Sequence, residues 1–219
     1  YQAFVVPQQN REVEFNHNQQ VQSQLQDLRN ALVSVSASTG DRSVSVRLGA
    51  QYPSRAVARN PGRPSGTLRT VGTTDDTVNV SIANAQVAGE TGDFWNDTQN
   101  YTTGGIAYRP QYNVYTEAPE TVYDNTLLYN SFRTGNVTVA NQSFVDGTDI
   151  PLLVVNGSLS RPSAGSTSVD VRPVSASTQT VRLDNQAGSN YSITFASQPG
   201  ATHWDFLEST QSTVTEVTP

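Results

Sequence analysis

The sequence predicts a mainly β protein, in which an N-terminal α-helix precedes an antiparallel β-sandwich or barrel-like head. Three observations predict this class. One apolar stripe with helical spacing runs through the first forty residues. After Ser43, short segments alternate apolar with polar residues, which is the period of half-buried strands. Gly, Pro, Asn or Asp bounds most of these segments, at the short spacing that is typical of antiparallel folds.

The helix is predicted over roughly residues 9–36, with its end near Gly40. Its apolar residues recur at spacings of 4, 3, 4 and 3, which places them on one helical face: Val21, Leu25, Leu28, Leu32 and Val35. Upstream, the same face meets His17 and Asn18. We therefore expect the lower half of the helix to pack on the head and the upper half to stand off as a solvated stalk.

The head is predicted to contain ten to twelve strands. Alternation is clearest in SVSVRLG, TVNVSIA, NVTVANQSFV, TSVDVRP, TVRLD and NYSITFA. The continuous apolar run at 150–160 predicts a central strand buried on both faces, and ETVYDNTLLYNSF, at 120–132, predicts one long core strand. The proline-rich stretch 52–66 is expected to be a loop or edge connection, and 202–210 to form one or two helical turns.

The composition is notable for three missing residue types. The 219 residues contain no cysteine and no methionine, and all thirteen basic residues are arginine, against nineteen acidic ones, for a net charge of −6. Without cysteine, disulfides, thiolate metal sites and cysteine nucleophiles are excluded. Because guanidinium is weakly hydrated and pairs in a forked geometry, the Arg-only usage predicts a proteome adapted to high salt, although the acidic excess is modest for such a source.

Catalytic and metal motifs are missing from the sequence. The two histidines, His17 and His203, lie at opposite ends of the chain, and we expect the first to be a solvated helix residue and the second to pack or cap a short helix. No zinc, nucleophile-elbow or phosphate-loop pattern occurs. Acid–base candidates near the tyrosines show no distinctive spacing: Asp93, Asp97, Glu117, Glu120 and Asp124. We therefore predict no enzyme, no catalytic residue and no metal ligand.

A calcium ion is the only cofactor for which the sequence offers any support. The segment DGTD, from Asp146 to Asp149, places two carboxylates close together, but it lacks the EF-hand pattern. We favour a plain turn between two strands. Scattered arginines and a net negative charge also predict that the protein does not bind nucleic acid.

Five of the nine tyrosines lie within residues 106–130. Tyrosine suits strands because it buries a large ring and can keep its hydroxyl wet, so cross-strand packing is the simplest interpretation. The sharper alternative is a sugar- or partner-binding face built from Trp95, Tyr112 and Tyr115.

Seven N-x-[ST] sequons are candidate glycosylation sites: Asn79, Asn96, Asn100, Asn136, Asn141, Asn156 and Asn190. With 23 Ser, 25 Thr and 17 Asn, the chain would contain about four sequons by chance, so the excess is mild. Occupied sites would lie on the surface of an exported domain.

The chain resembles exported haloarchaeal surface proteins with a type IV pilin-like N-terminus. The resemblance rests on YQAFVVPQQNREVEFNHNQQVQSQLQDLRNAL, QYPSRAVARNPGRPSGTLRT and IAYRPQYNVYTEAPETVYDNTLLYN, which cover about a third of the chain. It implies a pilin-like layout, in which residues 1–40 are the end of an anchor followed by the amphipathic helix, and residues 41–219 are an extracellular β-rich head. It also implies a high-salt archaeal cell surface, a membrane contact through an upstream helix, and partners among surface or pilus subunits, including further copies of the chain.

Three functions remain open at this point. The first is a non-enzymatic, membrane-anchored surface or filament-associated protein with a structural or interaction role. The second is an adhesin or lectin-like module that binds glycans through its aromatic residues. The third is a virion or spike component of a halophilic virus, which would share the export and salt signatures.

Overall fold

A computed structural model describes the helix, most of the head and a few isolated segments near the C-terminus. The described residues are 2–35, 40–55, 59–72, 77–83, 85–87, 98–147, 149–174, 183–185, 192–194, 197 and 203–205. Within these ranges one helix precedes antiparallel strands, which confirms the predicted mainly β class.

The helix, α1, spans Gln2–Val35, so it begins before the predicted residue 9. It contains Pro7, which lacks the N–H that would bond the carbonyl four residues earlier. The loss of that one bond does not end the helix. Although α1 has the length to cross a bilayer, no helix in the described ranges is apolar enough along its length to do so.

Thirteen strands lie in the described part of the chain. They are β1 Arg42–Arg47, β2 Ser65–Val71, β3 Thr77–Ala83, β4 Ala85–Val87, β5 Thr98–Thr102, β6 Gly105–Gln111, β7 Glu120–Asp124, β8 Leu127–Phe132, β9 Gly135–Ala140, β10 Ser160–Ser163, β11 Ser166–Val171, β12 Leu183–Asn185 and β13 Ser192–Thr194. Each of the six alternating segments contains one of these strands, as expected from its period of two.

The largest sheet has six antiparallel strands in the order β10-β2-β6-β7-β8-β9. A second sheet pairs β1 with β11 in register from Arg42↔Val171 to Arg47↔Ser166. The remaining described strands form the sheets β12-β4 and β13-β3-β5. The six-stranded sheet ends at β10 on one side and at β9 on the other, so it is open. The head is therefore sandwich-like, and the barrel-like alternative is not adopted.

The main core lies between α1 and one face of the six-stranded sheet, with β1 and β11 closing its side. All five stripe residues of the helix are buried in it. The sheet contributes residues that alternate along each strand, among them Leu68, Tyr108, Tyr123 and Leu128. Tyr108 lies over Gly66, where a Cβ would come within 2.4 Å of the ring, so only glycine fits beneath it.

The opposite face of the same sheet carries a smaller apolar cluster. Ala107, Val122, Leu127 and Tyr129 form it together with Trp204 from the short turn at 203–205. That turn falls inside the segment for which helical turns were predicted. The sheet therefore packs apolar side chains on both faces, and only one face meets the helix.

One predicted long strand is a hairpin. Residues 120–132 form β7 and β8, which pair with each other through a two-residue turn at Asn125 and Thr126. Both turn residues have positive φ, 46° and 68°, as a type I′ turn requires. The prediction of a single strand was wrong because the positive φ of Asn125 and Thr126 reverses the chain between β7 and β8. As a consequence, Tyr123 and Tyr129 lie on opposite faces of the sheet.

The predicted central strand at 150–160 is also not formed. Residues 150–159 have no strand assignment, and Leu152 and Val154 are 37% and 41% exposed. The segment instead runs along the core, bonding β2 and the residue before β6 through Thr70 N to Leu159 O at 2.8 Å and Gly104 N to Val155 O at 2.9 Å. An apolar run can therefore cover a core from outside without joining the sheet. In the Pro-rich stretch 52–66, residues 52–55 and 59–64 are loop, as predicted.

Candidate functional site

The most developed polar cluster of the described structure lies where the upper half of α1 meets residues 112–117, the loop between β6 and β7. We call this the helix–loop junction. Its centre is Glu14, whose side chain is fully buried. The carboxylate accepts backbone N–H bonds from Asn113 (2.8 Å), Val114 (2.9 Å) and Tyr115 (2.6 Å). Three consecutive amides that point at one carboxylate fix the path of the loop against the helix.

A second loop joins this cluster through Tyr52. Its hydroxyl donates to Glu14 and accepts from the Asn113 side-chain amide at 3.0 Å. The same amide donates to the Gly62 carbonyl at 2.8 Å, which brings in the proline-rich loop. Burial, followed by the hydrogen bond to Glu14, raises the pKa of Tyr52 to about 12. The phenol therefore remains a donor at any physiological pH.

His17 lies one turn below Glu14 and uses both ring nitrogens. Nε2 is 3.0 Å from the carbonyl of Arg47, which can only accept, so Nε2 carries the hydrogen. Nδ1 then accepts from the Tyr112 hydroxyl at 2.6 Å. Burial lowers the pKa of His17 and raises the pKa of Tyr112. Both directions favour the neutral pair that this geometry requires.

The aromatic rings of the junction form a continuous row. Phe15 contacts Tyr115 at 5.7 Å between centroids, and Tyr115 stacks on Tyr112 at 6.2 Å with the planes 15° apart. Tyr112 in turn meets His17 edge-on. Arg11 lies over the Tyr115 ring at 5.4 Å and pairs with Glu117 at 3.4 Å. Phe15, at 45% exposed, is the outer end of the row.

The proline-rich loop also holds the first turns of the helix. Arg55 donates to Gln9 at 2.8 Å and to Asn10 at 3.1 Å, while its Nε bonds Asn60 at 3.0 Å. Asn10 is buried. The upper half of α1 is thus fastened to the head by two loops.

These contacts contradict the predicted stalk. His17 was expected to be solvated, but it is buried and hydrogen-bonded, and Asn18 and Glu14 are buried beside it. The helical face of the apolar stripe continues upward in polar residues, of which Asn10, Glu14 and His17 bond the loops. Asn18 instead accepts from Gln22 of the same helix. Asn10, Glu14 and His17 are spaced by four and three residues, which continues the stripe. Their burial was not predicted, because polar residues are mostly exposed.

The predicted site residues have separate locations. Tyr112 and Tyr115 lie in the junction and are half-buried, whereas Trp95 lies outside the described residues. Among the sequons, Asn141 and Asn156 are exposed and Asn136 is half-buried on β9. The backbones of Asn79 and Asn100 pair with each other across β3 and β5. Asn96 and Asn190 lie outside the described residues.

The candidate carboxylates do not converge. Glu117 pairs with Arg11, and Glu120 pairs with Arg69 at 2.7 Å. Asp124 accepts from Ser197 at 2.9 Å. Glu120 and Asp124 lie four positions apart on β7, which separates them by roughly 13 Å, more than the spacing of glycosidase pairs. Asp93 and Asp97 lie outside the described residues.

The DGTD segment forms the expected turn. Asp146 and Asp149 exchange two backbone hydrogen bonds of 2.9 Å, which close the turn. Across the described ranges, no group of three His, Cys, Asp or Glu residues has the arrangement of a metal site.

The polar groups of the junction bond one another and hold the loops against the helix. The carboxylate of Glu14 already accepts four donors, and both nitrogens of His17 are engaged. A general acid or base must keep a site within hydrogen-bond reach of a substrate. In these two side chains the hydrogen-bonding capacity is directed to the protein itself. The fold and the junction together define a mainly β domain with a helix held to it from Gln9 to Val35.

Comparison with other proteins gives one distant relationship. The chain is 25% identical over 168 residues to a protein of the archaeon Archaeoglobus fulgidus that is described as an uncharacterized protein. The match covers 76% of this chain and 27% of that protein, so the chain spans about a quarter of its relative's length. No family model matches the chain, and no solved structure matches it. The similarity is to an archaeal protein, which agrees with the broad part of the predicted resemblance.

Proposed function

We propose that the protein is a non-enzymatic, membrane-anchored surface protein of the pilin-like class, with a structural or interaction role outside the cell. The observation that carries this proposal is the helix–loop junction. It joins the upper half of α1 rigidly to a head whose core already contains the lower half. A domain held in this way moves with its helix as one body, which suits a head presented by an anchor or packed into a filament.

The pattern of burial along the helix supports the same proposal. Residues 7–9 of α1 are exposed, while the residues from Asn10 downward alternate buried and exposed faces. The helix is therefore already formed where it leaves the head. An anchor would continue it upstream in the same direction, as the pilin-like resemblance implies.

The test uses the full-length gene product in cells of the source organism. An upstream apolar segment of about twenty residues, continuous in helical pattern with Gln2, is expected. The protein should then be found in the membrane fraction and should be cleaved when intact cells are treated with a protease. Replacing the upstream segment with a cleaved secretion signal should release the protein to the medium. A soluble, intracellular full-length protein would contradict the proposal.

A filament role can be separated from a single anchored copy. Cells that produce the full-length protein would be examined for filaments by electron microscopy and immunolabelling. As a matched pair, Glu14→Gln loosens the junction, whereas Glu12→Gln changes an exposed carboxylate of the same helix. Label along filaments that is lost with Glu14→Gln alone supports a subunit role. Label confined to the cell surface supports an anchored monomer.

The second candidate is an adhesin or lectin-like module, which the half-exposed aromatic row favours. Sugar-binding sites commonly present an open aromatic face, and Phe15 extends the row toward solvent. However, Tyr115 contacts Tyr112 and Arg11 as well as Phe15, so much of its ring is already occupied. These contacts favour the structural role over the lectin-like one.

A glycan array and a whole-cell binding assay distinguish the two. Tyr112→Ala and Tyr115→Ala should abolish binding if the module is a lectin, and Tyr115→Phe should preserve stacking. Because Tyr112 also anchors His17, each variant needs a thermal unfolding measurement beside the binding assay. Unchanged binding in a folded Tyr115→Ala variant would remove this face from consideration.

A further inference from the structure

The face of the six-stranded sheet turned away from α1 carries a shallow groove of about 190 Å³. Ala107 and Val122 form its apolar floor, and the ion pair between Arg69 and Glu120 crosses one wall. Asn136 lies on the rim, on the edge strand β9. A groove of this size is below the roughly 300–1,000 Å³ of drug-sized ligand sites, so it suits a single sugar ring.

Three of the seven sequons have described side chains, and they differ in geometry. In the sequon at Asn141, the hydroxyl of Ser143 is buried and has no hydrogen-bond partner among the described residues. In the sequon at Asn136, Thr138 is exposed and lies on the same face of β9, two residues along. The Asn136 side-chain amide has no hydrogen bond to any described residue. It is therefore free to be modified.

The sequon at Asn156 is the natural comparison. Asn156 and Ser158 are both exposed in the irregular segment that follows residue 150. This site is accessible, but it does not line the groove. Accessibility is shared by the sites at Asn136 and Asn156, whereas a groove beside the acceptor is a property of Asn136.

We propose that Asn136 carries an N-linked glycan whose first sugar lies in this groove. The saccharide comes from a lipid-phosphate-linked donor. The amide nitrogen of Asn136 forms a bond to the anomeric carbon, the bond from that carbon to the phosphate oxygen breaks, the lipid phosphate leaves and the amide loses one proton. The sequon's hydroxyl group at Thr138 is the recognition element for such a transfer.

The groove offers both kinds of contact that a sugar ring makes. Its C–H face can lie against Ala107 and Val122, which are already buried in the protein. Its hydroxyl groups can bond Arg69 and Glu120, which keep donors and acceptors beyond their mutual contact because their side chains are 42% and 26% exposed. The glycan would therefore lie over the part of this sheet face that Arg69 and Glu120 border.

This inference rests on the proposed surface location, because the donor and transferase act on exported chains. The experiment compares the protein recovered from source cells with its Asn136→Gln, Thr138→Ala and Asn156→Gln variants. Intact mass and glycopeptide mapping are the readouts. Asn136→Gln and Thr138→Ala should both lose the mass of one glycan, whereas Asn156→Gln should retain the Asn136 glycan. Thr138→Ala keeps the asparagine, so it separates lost modification from a misfolded edge strand.

Seating in the groove needs a second readout. The native protein from which the glycan has been removed enzymatically should melt below the glycosylated protein by about 2–4 °C. The Thr138→Ala variant is not used for this comparison, because Thr138 Oγ1 lies 3.5 Å from His203 Nε2. In an Arg69→Ala background, this difference should shrink, because one groove contact of the sugar is gone. An unchanged difference would overturn the seating. Protein that reaches the cell exterior with Asn136 unmodified overturns the glycan proposal alone, whereas protein retained inside the cell overturns the proposed function as well.

Discussion

The two halves of α1 are held to the same head by different physics. The lower half buries six apolar side chains, the five of the stripe and Ala31, and their attraction is non-directional and proportional to the area covered. The upper half buries Asn10, Glu14, His17 and Asn18, and it is held by directional bonds to two loops. One helical face thus changes from apolar to polar without changing its degree of burial.

Burial and hydrophobicity are therefore separate properties of a helical face. A polar side chain can be buried when its hydrogen bonds are satisfied, and here the loops supply donors and acceptors in number. The two mechanisms also differ in how they fail. Removing an apolar group leaves a cavity, whereas removing one partner of a buried bond leaves several groups unsatisfied.

The largest expected effect is in the lower half. Leu28→Ala should reduce the free energy of unfolding by about 2–5 kcal/mol, because the side chain is 1% exposed and its removal leaves a cavity under the sheet. Urea unfolding followed by circular dichroism measures it. The control is Leu152→Ala, at 37% exposed, which should cost under about 1 kcal/mol. Equal losses in both variants would mean that the stripe does not form the core.

The next effect is in the upper half. Glu14→Gln should cost about 1–3 kcal/mol, because the new NH₂ group faces a backbone N–H that needs an acceptor. Hydrogen exchange at the amides of Asn113, Val114 and Tyr115 should accelerate. Glu12→Gln, on the exposed face of the same helix, should leave both quantities unchanged. Slow exchange in the Glu14 variant would show that the loop is held by other contacts.

A smaller effect depends on pH. Burial lowers the pKa of His17 below its ordinary 6.5, so the unfolded chain binds a proton more readily than the folded protein. The associated stability is therefore complete above about pH 6.5 and declines as the pH falls from there toward the lowered folded pKa. Unfolding free energies measured between pH 7.5 and about 5 should show this slope.

His17→Gln is the variant that isolates the slope. Its stability should vary less with pH in that window than the stability of the native protein. Burial also lowers the pKa of His203, so His203→Gln serves as the matched control for a second histidine. If the His17 variant keeps the full native slope, the buried neutral pair with Tyr112 is not its source.

The smallest effect is at the exposed end of the aromatic row. Phe15→Ala should cost roughly 0.5–1 kcal/mol, because the ring is 45% exposed and Tyr115 is its one aromatic partner in the described part of the chain. A double-mutant cycle with Tyr115→Ala should give a coupling of similar size. A coupling near zero would mean that the two rings touch without stabilising each other.

Local pattern was sufficient for most elements of this fold, but not for the hairpin at 120–132 or the segment 150–159. The period of two in the head, the 4-3-4-3 stripe and the proline-rich connection each correspond to the structure, because each depends on residues close together in the chain. The hairpin turn at Asn125 and Thr126 was also encoded locally, in a residue that tolerates positive φ. The sequence therefore contains the signal for this turn.

The amino-acid pattern was enough to predict the mainly β class, the helix and its apolar face, and the absence of cysteine excluded disulfides. Only the tertiary structure decided that Glu14 and His17 are buried, that Tyr123 and Tyr129 lie on opposite faces, and that residues 150–159 run outside the sheet. The physical reason is the range of the interactions. Periodicity reports which side of an element is apolar, whereas the partner of a buried carboxylate lies about a hundred residues away and appears only when the loops are in place.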